Sequence, residues 1–125
     1  MLEARRARGL TEIAAGGESV RGPSALCEDG LWNSALDVIY GARSVAVVSG
    51  FYIPMASAPE TDGPTGGVTL ARALLRRGFD AELWTDFRCI KAFRACAESV
   101  SFPLDRVIDV SGDIDGVKLP DALIY

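Results

Sequence analysis

Residues 44–77 read SVAVVSGFYIPMASAPETDGPTGGVTLARALLRR. The stretch opens on a run, Val45 to Ser49, that is β-branched and apolar, as a strand buried on both faces is. It closes on a run in which Val68, Ala71, Leu74 and Leu75 recur at helical spacing, while Arg72, Arg76 and Arg77 take the wet side. Gly78 follows where a left-handed C-cap belongs. A strand is therefore joined to a helix, and such joints are ordinarily about 2–6 residues long. This one, Ser49 to Gly67, is much longer. Pro54, Pro59 and Pro64 restrict its backbone, and Gly50, Gly63, Gly66 and Gly67 permit close approach or positive φ. A shaped connection is expected.

Downstream the alternation continues. AELWTD (81–86) reads as a second strand, IKAFRACAESV (90–100) as a helix burying Ile90, Phe93 and Ala97, and RVIDV (106–110) as a third strand. SGDIDGVKLP reads as a loop, and DALIY (121–125) as a fourth strand. Upstream, SALCEDGLWNSALDVIY (24–40) places Leu26, Leu31, Ala35, Leu36 and Ile39 on one helical face, with Ser24 as N-cap. Gly30 weakens that helix and Gly41 ends it. Trp32, Trp84 and Phe93 read as core.

Strands alternating with helices predict an α/β fold: a Rossmann-like, three-layer parallel sheet with right-handed crossovers and strand order 3-2-1-4. In that order the first strand lies at the topological switch point, where ligands bind beyond the carboxyl ends of the strands. The long joint leaves from that end. The fourth strand runs out without a helix to cover it, so the sheet is read as incomplete at its C-terminus. A bare apolar edge invites pairing, either with another copy or with a missing C-terminal half. Residues 1–22 are read as an N-terminal extension and 23–125 as the domain.

Composition narrows the function classes. The chain has 125 residues, 49% of them apolar, with 13 basic against 17 acidic residues and a net charge of −4. Scattered basic residues in an acidic chain argue against nucleic acid. No apolar run approaches the ~20 residues of a membrane-spanning helix, so no membrane partner is expected. MLEARRARGL is basic like a targeting peptide, but Glu3 and Glu12 interrupt it and no apolar core follows. Cys27, Cys89 and Cys96 have no CxxC spacing, which points to a reducing, cytoplasmic setting. The chain contains no histidine. That excludes from it a Ser-His-Asp or Cys-His nucleophile, an HExxH zinc site and a histidine base. Acid–base work falls to carboxylates, Lys, Tyr or Cys.

The long joint carries Glu60 and Asp62 and delivers the chain to a helix start read near Thr65, Gly66 and Gly67, where unpaired amides favour a carboxylate or phosphate. Asp86, at the end of the second strand, is expected to face the same crevice. Each has a plainer reading: Asp62 and Glu60 as dipole partners of the helix, Asp86 as the N-cap of the next one. Cys89 sits at a helix start, where thiols can be activated, but reads better as a small buried cysteine. GxGxxG, GxxxxGK[ST] and GxSxG are all absent, so neither a dinucleotide, a P-loop nor a hydrolase site is indicated. Three carboxylates alone do not make a magnesium cage, and no metal or cofactor is expected.

At these residues the sequence resembles the C-terminal domain of the D-glutamate cyclase family. The likeness rests on GFYIP (50–54), ETDGPTG (60–66), LARALLRRG (70–78) and Thr85-Asp86, with Arg21-Gly22 and PDALI (120–124) agreeing in order. It spans roughly residues 20–125 and covers the first half of that domain. The resemblance implies a hydro-lyase that converts D-glutamate to 5-oxo-D-proline and water, mitochondrial in animals. Chemistry at the matched positions then assigns Glu60 or Asp62 to proton transfer and Asp86 to the substrate ammonium. Amides around Thr65 to Gly67 would hold a carboxylate or the oxyanion, with Gly50, Thr61 and Gly63 completing the substrate site. Two alternatives stay open: a non-catalytic module that binds a small anion or a nucleotide, and an inactive fragment of a longer enzyme.

Overall fold

The computed structural model describes residues 30–112 and 117–125. The chain divides into two units, 1–41 and 42–125. In the first, helix α1 (Leu31–Gly41) follows Gly30, which has φ +94°. A glycine with that φ stops a helix from continuing through it. The described helix therefore begins after Gly30; Ser24, the expected N-cap, and Leu26 lie outside the described residues. Its expected apolar face is not buried: Leu31, Ala35 and Leu36 are exposed and Ile39 is half-buried. Trp32, expected in the core, is 45% exposed.

The second unit is α/β. Strands β1 (Ser44–Val48), β4 (Asp80–Thr85), β5 (Val107–Asp109) and β6 (Ala122–Ile124) form a parallel sheet in the order β5-β4-β1-β6. Counted within that sheet alone, the strands run third, second, first, fourth. The remaining two strands, β2 (Tyr52–Ile53) and β3 (Ala58–Pro59), make a separate antiparallel ribbon inside the long joint. Helices α2 (Asp62–Arg76) and α3 (Ile90–Ser99) provide the crossovers from β1 to β4 and from β4 to β5.

Register explains the core. Val45 pairs with Ala81 and Val47 with Leu83, and Leu83 pairs with Val107, so these side chains share one face of the sheet. All five are buried, as are Val68, Ala71 and Leu74 of α2 and Phe93 and Ala97 of α3. Gly67 is the closest point of that packing. A Cβ there would stand 3.1 Å from Leu83 Cδ1 and 3.3 Å from both Phe93 Cε1 and Ser49 Cβ. With glycine there α2 sits this close to β4 without Leu83, Phe93 or Ser49 having to give way. On the other face Trp84, 5% exposed, donates its indole N–H to Glu82 at 2.8 Å.

Both crossover helices end alike. Gly78 (φ +89°) donates to Leu75 and Phe79 to Leu74, which is the two-bond Schellman arrangement. After α3, Ser101 takes the same place at φ +56°, donating to Glu98, while buried Phe102 donates to Ala97 at 2.8 Å.

β6 pairs with β1 at the sheet edge, and a carboxylate fixes the start of that pairing. Asp121 Oδ2 accepts the amides of Arg43 at 2.8 Å and Ser44 at 3.0 Å, and its own amide donates to Ser44 Oγ at 3.0 Å. The bonds from Ser44 and Arg43 hold the Asp121 carboxyl below its ordinary value, which is about 3.9. Its contribution is therefore complete above that value and lost as pH falls through the lowered pKa. Amide exchange of Leu123 and Ile124 is expected to accelerate selectively below about pH 4, before the β1–β4 pair loosens. Asp121→Ala, which removes the accepting oxygen, is expected to show the fast exchange at neutral pH already. Equal exchange in variant and parent at pH 7 would contradict this anchor.

Candidate functional site

The long joint is folded, not slack. Ile53 leads into a 3-10 turn, Pro54–Ala56, and Ser57 follows in the left-handed region at φ +49°, its amide bonded to Pro54 O at 3.1 Å. Pro54 supplies the fixed φ that such a turn start requires. Tyr52 then pairs with Pro59 and Ile53 with Ala58, and the Glu60 amide closes onto Phe51 O at 2.7 Å. Arg88, from the β4–α3 joint, places its guanidinium 5.2 Å from the Tyr52 ring centre and 5.3 Å from that of Phe87. Cation–π contact of this kind ties the ribbon to the neighbouring strand end.

α2 begins at Asp62, earlier than the Thr65 to Gly67 expected from sequence. The difference matters for anion binding. A helix start leaves four amides without an internal partner, here those of residues 61 to 64. Pro64 has no N–H, and Gly63 is taken by Asp62 Oδ1 at 2.8 Å. Thr65, Gly66 and Gly67 lie beyond that first turn. Thr65 Oγ1 turns back onto the carbonyls of Thr61 and Asp62, both at 3.1 Å. The helix-start amides are thus those of Thr61 and Asp62, not those of Thr65–Gly67.

Between the end of β1 and the start of α2 lies an open crevice of about 330 Å³, lined by Ser49, Gly50, Phe51, Glu60, Asp62, Gly63, Gly66 and Gly67. Six of the residues singled out from sequence therefore come together: Gly50, Glu60, Asp62, Gly63, Gly66 and Gly67. Thr61, Thr65 and Asp86 are not part of the lining. Ser49 Oγ reaches Gly63 O at 3.4 Å, binding the strand end to the first turn of the helix. A Cβ on Gly66 would meet nothing within 4 Å, so its side opens on the crevice.

Asp86 takes up the plainer of its two expected parts. Its Oδ1 accepts the amides of Arg88 at 2.7 Å and Cys89 at 3.1 Å, which starts α3. Its Oδ2 points to Gly50, where an added Cβ would be 3.3 Å away. Asp86 thus adjoins the crevice through Gly50. Cys89 is fully buried, and burial, aided by the hydrogen bond and charge of Asp86, pushes its thiol up to about 11. A thiol held protonated is no nucleophile. Asp109 and Ser111 pin the next strand end: the Ser111 amide bonds to Asp109 Oδ1 at 2.9 Å, and Ser111 Oγ accepts the Phe87 amide at 2.6 Å. Hydrogen bonds from the Ser111 side chain and backbone hold the Asp109 carboxyl below its usual range. Glu60, Asp62 and Asp86 do not gather into a metal-holding group, and none is found among the described residues.

Sequence reading missed Thr85 as a site residue. It is 2% exposed, yet its Oγ1 has no hydrogen-bond partner among the described residues. It lies directly under Gly50, whose Cβ, if present, would stand 2.7 Å from it. Buried hydroxyls are nearly always paired, so this one is an exception beside Gly50, a residue that lines the crevice. Ser49 and Phe51 were missed as lining too, because a strand end and an aromatic residue carry no distinctive signal.

The crevice lies at the carboxyl end of the first strand of a parallel α/β sheet, the place where open sheets of this kind bind ligands. The family described as D-glutamate cyclase-like, C-terminal, matches residues 10–119, and the chain belongs to it. Neither the curated proteins nor the solved structures contain a match to the chain. Among the described residues no helix is long and apolar enough to cross a membrane.

Proposed function

We propose that the crevice beside β1 is a D-glutamate cyclase-type site, converting D-glutamate to 5-oxo-D-proline and water. The observation that supports it best is the convergence of Glu60 and Asp62 with the glycines of the GFYIP and ETDGPTG segments around one small crevice. In the reaction the α-amine nitrogen, once deprotonated, attacks the γ-carboxyl carbon. A C–N bond forms, a C–O bond breaks, and the oxygen departs as water with the protons released by the ammonium. No oxidant or second substrate is consumed. Because the attack is intramolecular, holding the folded conformer of the substrate supplies much of the acceleration.

The side chains divide the remaining work. The Glu60 carboxylate makes no hydrogen bond or ion pair with the described residues, so it is free to take the ammonium proton and return it to the leaving oxygen. Asp62 is half committed to the Gly63 amide and supports the helix start. Asp86, whose Oδ2 adjoins the crevice through Gly50, holds the substrate ammonium. The amide of Asp62, which lines the crevice at the helix start, receives the developing oxyanion. The test is direct: the purified chain is incubated with D-glutamate and with L-glutamate, and product is followed by proton NMR. Formation of 5-oxoproline from the D-enantiomer alone is expected; equal and unaccelerated cyclisation of both would refute the reading.

The binding-module alternative has its own support in the openness of the crevice. It predicts that a nucleotide raises the thermal midpoint while D-glutamate leaves it unchanged.

A further inference from the structure

We propose that the flank of α2 beside the end of α3 is a second binding site, for a multiply charged oxyanion of the phosphate or diphosphate class. A concavity of about 310 Å³ lies there, lined by Thr69, Arg72, Ala73, Arg76, Arg77 and Val100. Positions 69, 72, 73, 76 and 77 form one continuous stripe of a helix, since residues three and four apart are neighbours. The stripe is separate from the crevice. Asp62 and Arg76 are the two ends of a 15-residue helix, and at 1.5 Å per residue they stand about 20 Å apart.

Three guanidiniums share this hollow, and no described carboxylate lines it. Among the described residues the ion pair present is Arg106 with Asp80, which removes from use the acid next along the chain from Arg77. The helical positions three and four from Arg72 and Arg76 carry Val68, Thr69, Ala73, Leu75 and each other. An ordinary solvated face would place acids at those positions. Arg72 and Arg76 are instead like charges at i,i+4, an arrangement that destabilises an isolated helix. A plain reading of Arg76 and Arg77 is that they complement the negative end of α2. That end is equivalent to only about half a charge, so three guanidiniums exceed it and the hollow stays strongly positive in an otherwise acidic chain.

Shape selects the occupant. Each guanidinium offers a planar fork that fits phosphate or carboxylate oxygens two at a time, and Ala73 and Val100 give the hollow an apolar wall. A concavity of this size suits a small molecule, whereas an acidic peptide requires a longer charged track. The site does not depend on the cyclase reading.

The experiment uses the chain titrated with inorganic pyrophosphate at constant ionic strength, observed through backbone amide shifts. Saturable shifts centred on Ala73 and Val100 are expected. The double variant Arg72→Gln/Arg76→Gln should keep the thermal midpoint and bind about 100-fold more weakly, about tenfold for each guanidinium removed. Three results would overturn the proposal: shifts that follow ionic strength alone, shifts unchanged in the double variant, or saturation by polyglutamate with none by pyrophosphate.

Discussion

Glu60→Gln is expected to slow conversion of D-glutamate by about 10²–10⁴-fold, the range that a positioned proton-transfer group contributes. The same variant should keep the parent's thermal midpoint, because Glu60 is exposed and only its backbone amide is engaged, with Phe51 O. Glutamine preserves the length and polarity of the side chain and removes its ability to accept and return a proton. The loss should therefore appear in kcat more than in KM. Asp62→Asn is the informative comparison. Its Oδ1 caps Gly63, and an amide oxygen can keep that bond, so a smaller loss is expected. Equal losses in both variants would transfer the proton chemistry to the pair as a unit. Unchanged kcat in Glu60→Gln would remove Glu60 from the mechanism.

Gly50→Ala is expected to damage fold and site together. The added methyl would stand 2.7 Å from Thr85 Oγ1, 3.3 Å from Asp86 Oδ2 and 3.6 Å from Cys89 Cβ, at a φ of +152° that L side chains rarely adopt. Thr85 is buried at a strand end and Asp86 is fixed by the amides of Arg88 and Cys89, so neither can yield cheaply. Overpacking of this kind costs about 1–3 kcal/mol. For a unit of this size each kcal/mol lowers the midpoint by about 4–8 °C. Gly66→Ala separates the two effects. Its Cβ would meet no neighbour within 4 Å, and alanine in a helix interior is better than glycine by about 0.5–1 kcal/mol. Gly66→Ala should therefore raise the midpoint while its methyl narrows the crevice and weakens substrate binding. A drop in midpoint at Gly66, or none at Gly50, would contradict the local geometry.

Much of the sheet was legible because its signals are local. Val45 to Ser49, AELWTD and RVIDV are short apolar or alternating runs, and Gly78 sits at the C-cap that its φ requires. The ends of the long joint were harder to read. Thr65, Gly66 and Gly67 are poor helix formers, which suggested a helix start there; yet they lie inside α2, where Gly67 is required by the approach of Leu83 and Phe93, a tertiary demand that overrides propensity. The ribbon of Tyr52–Ile53 with Ala58–Pro59 is too short for periodicity to reveal. Pro54 and Pro59 were its visible trace.

The site shows the same division. Glu60, Asp62 and the glycines could be found because their residue types are unusual in a strand-to-helix joint. Asp86 was found as well, but its hydrogen bonds to Arg88 and Cys89 give it a capping duty that a sequence can only offer as one of two readings. Thr85 could not be found. An unpaired hydroxyl under a glycine is a fact of three-dimensional packing. Trp32 was read as core and Leu31, Ala35 and Leu36 as one helical face from their spacing; all four are exposed.

The most direct test of the crevice is a titration of the chain with D-glutamate, and separately with 5-oxo-D-proline, followed by backbone amide shifts. The expected result is saturable change at Gly50, Phe51, Gly63 and Gly66, reduced in Gly66→Ala. Shifts confined to residues away from β1 and the start of α2, or none at saturating ligand, would mean that the substrate is not held there.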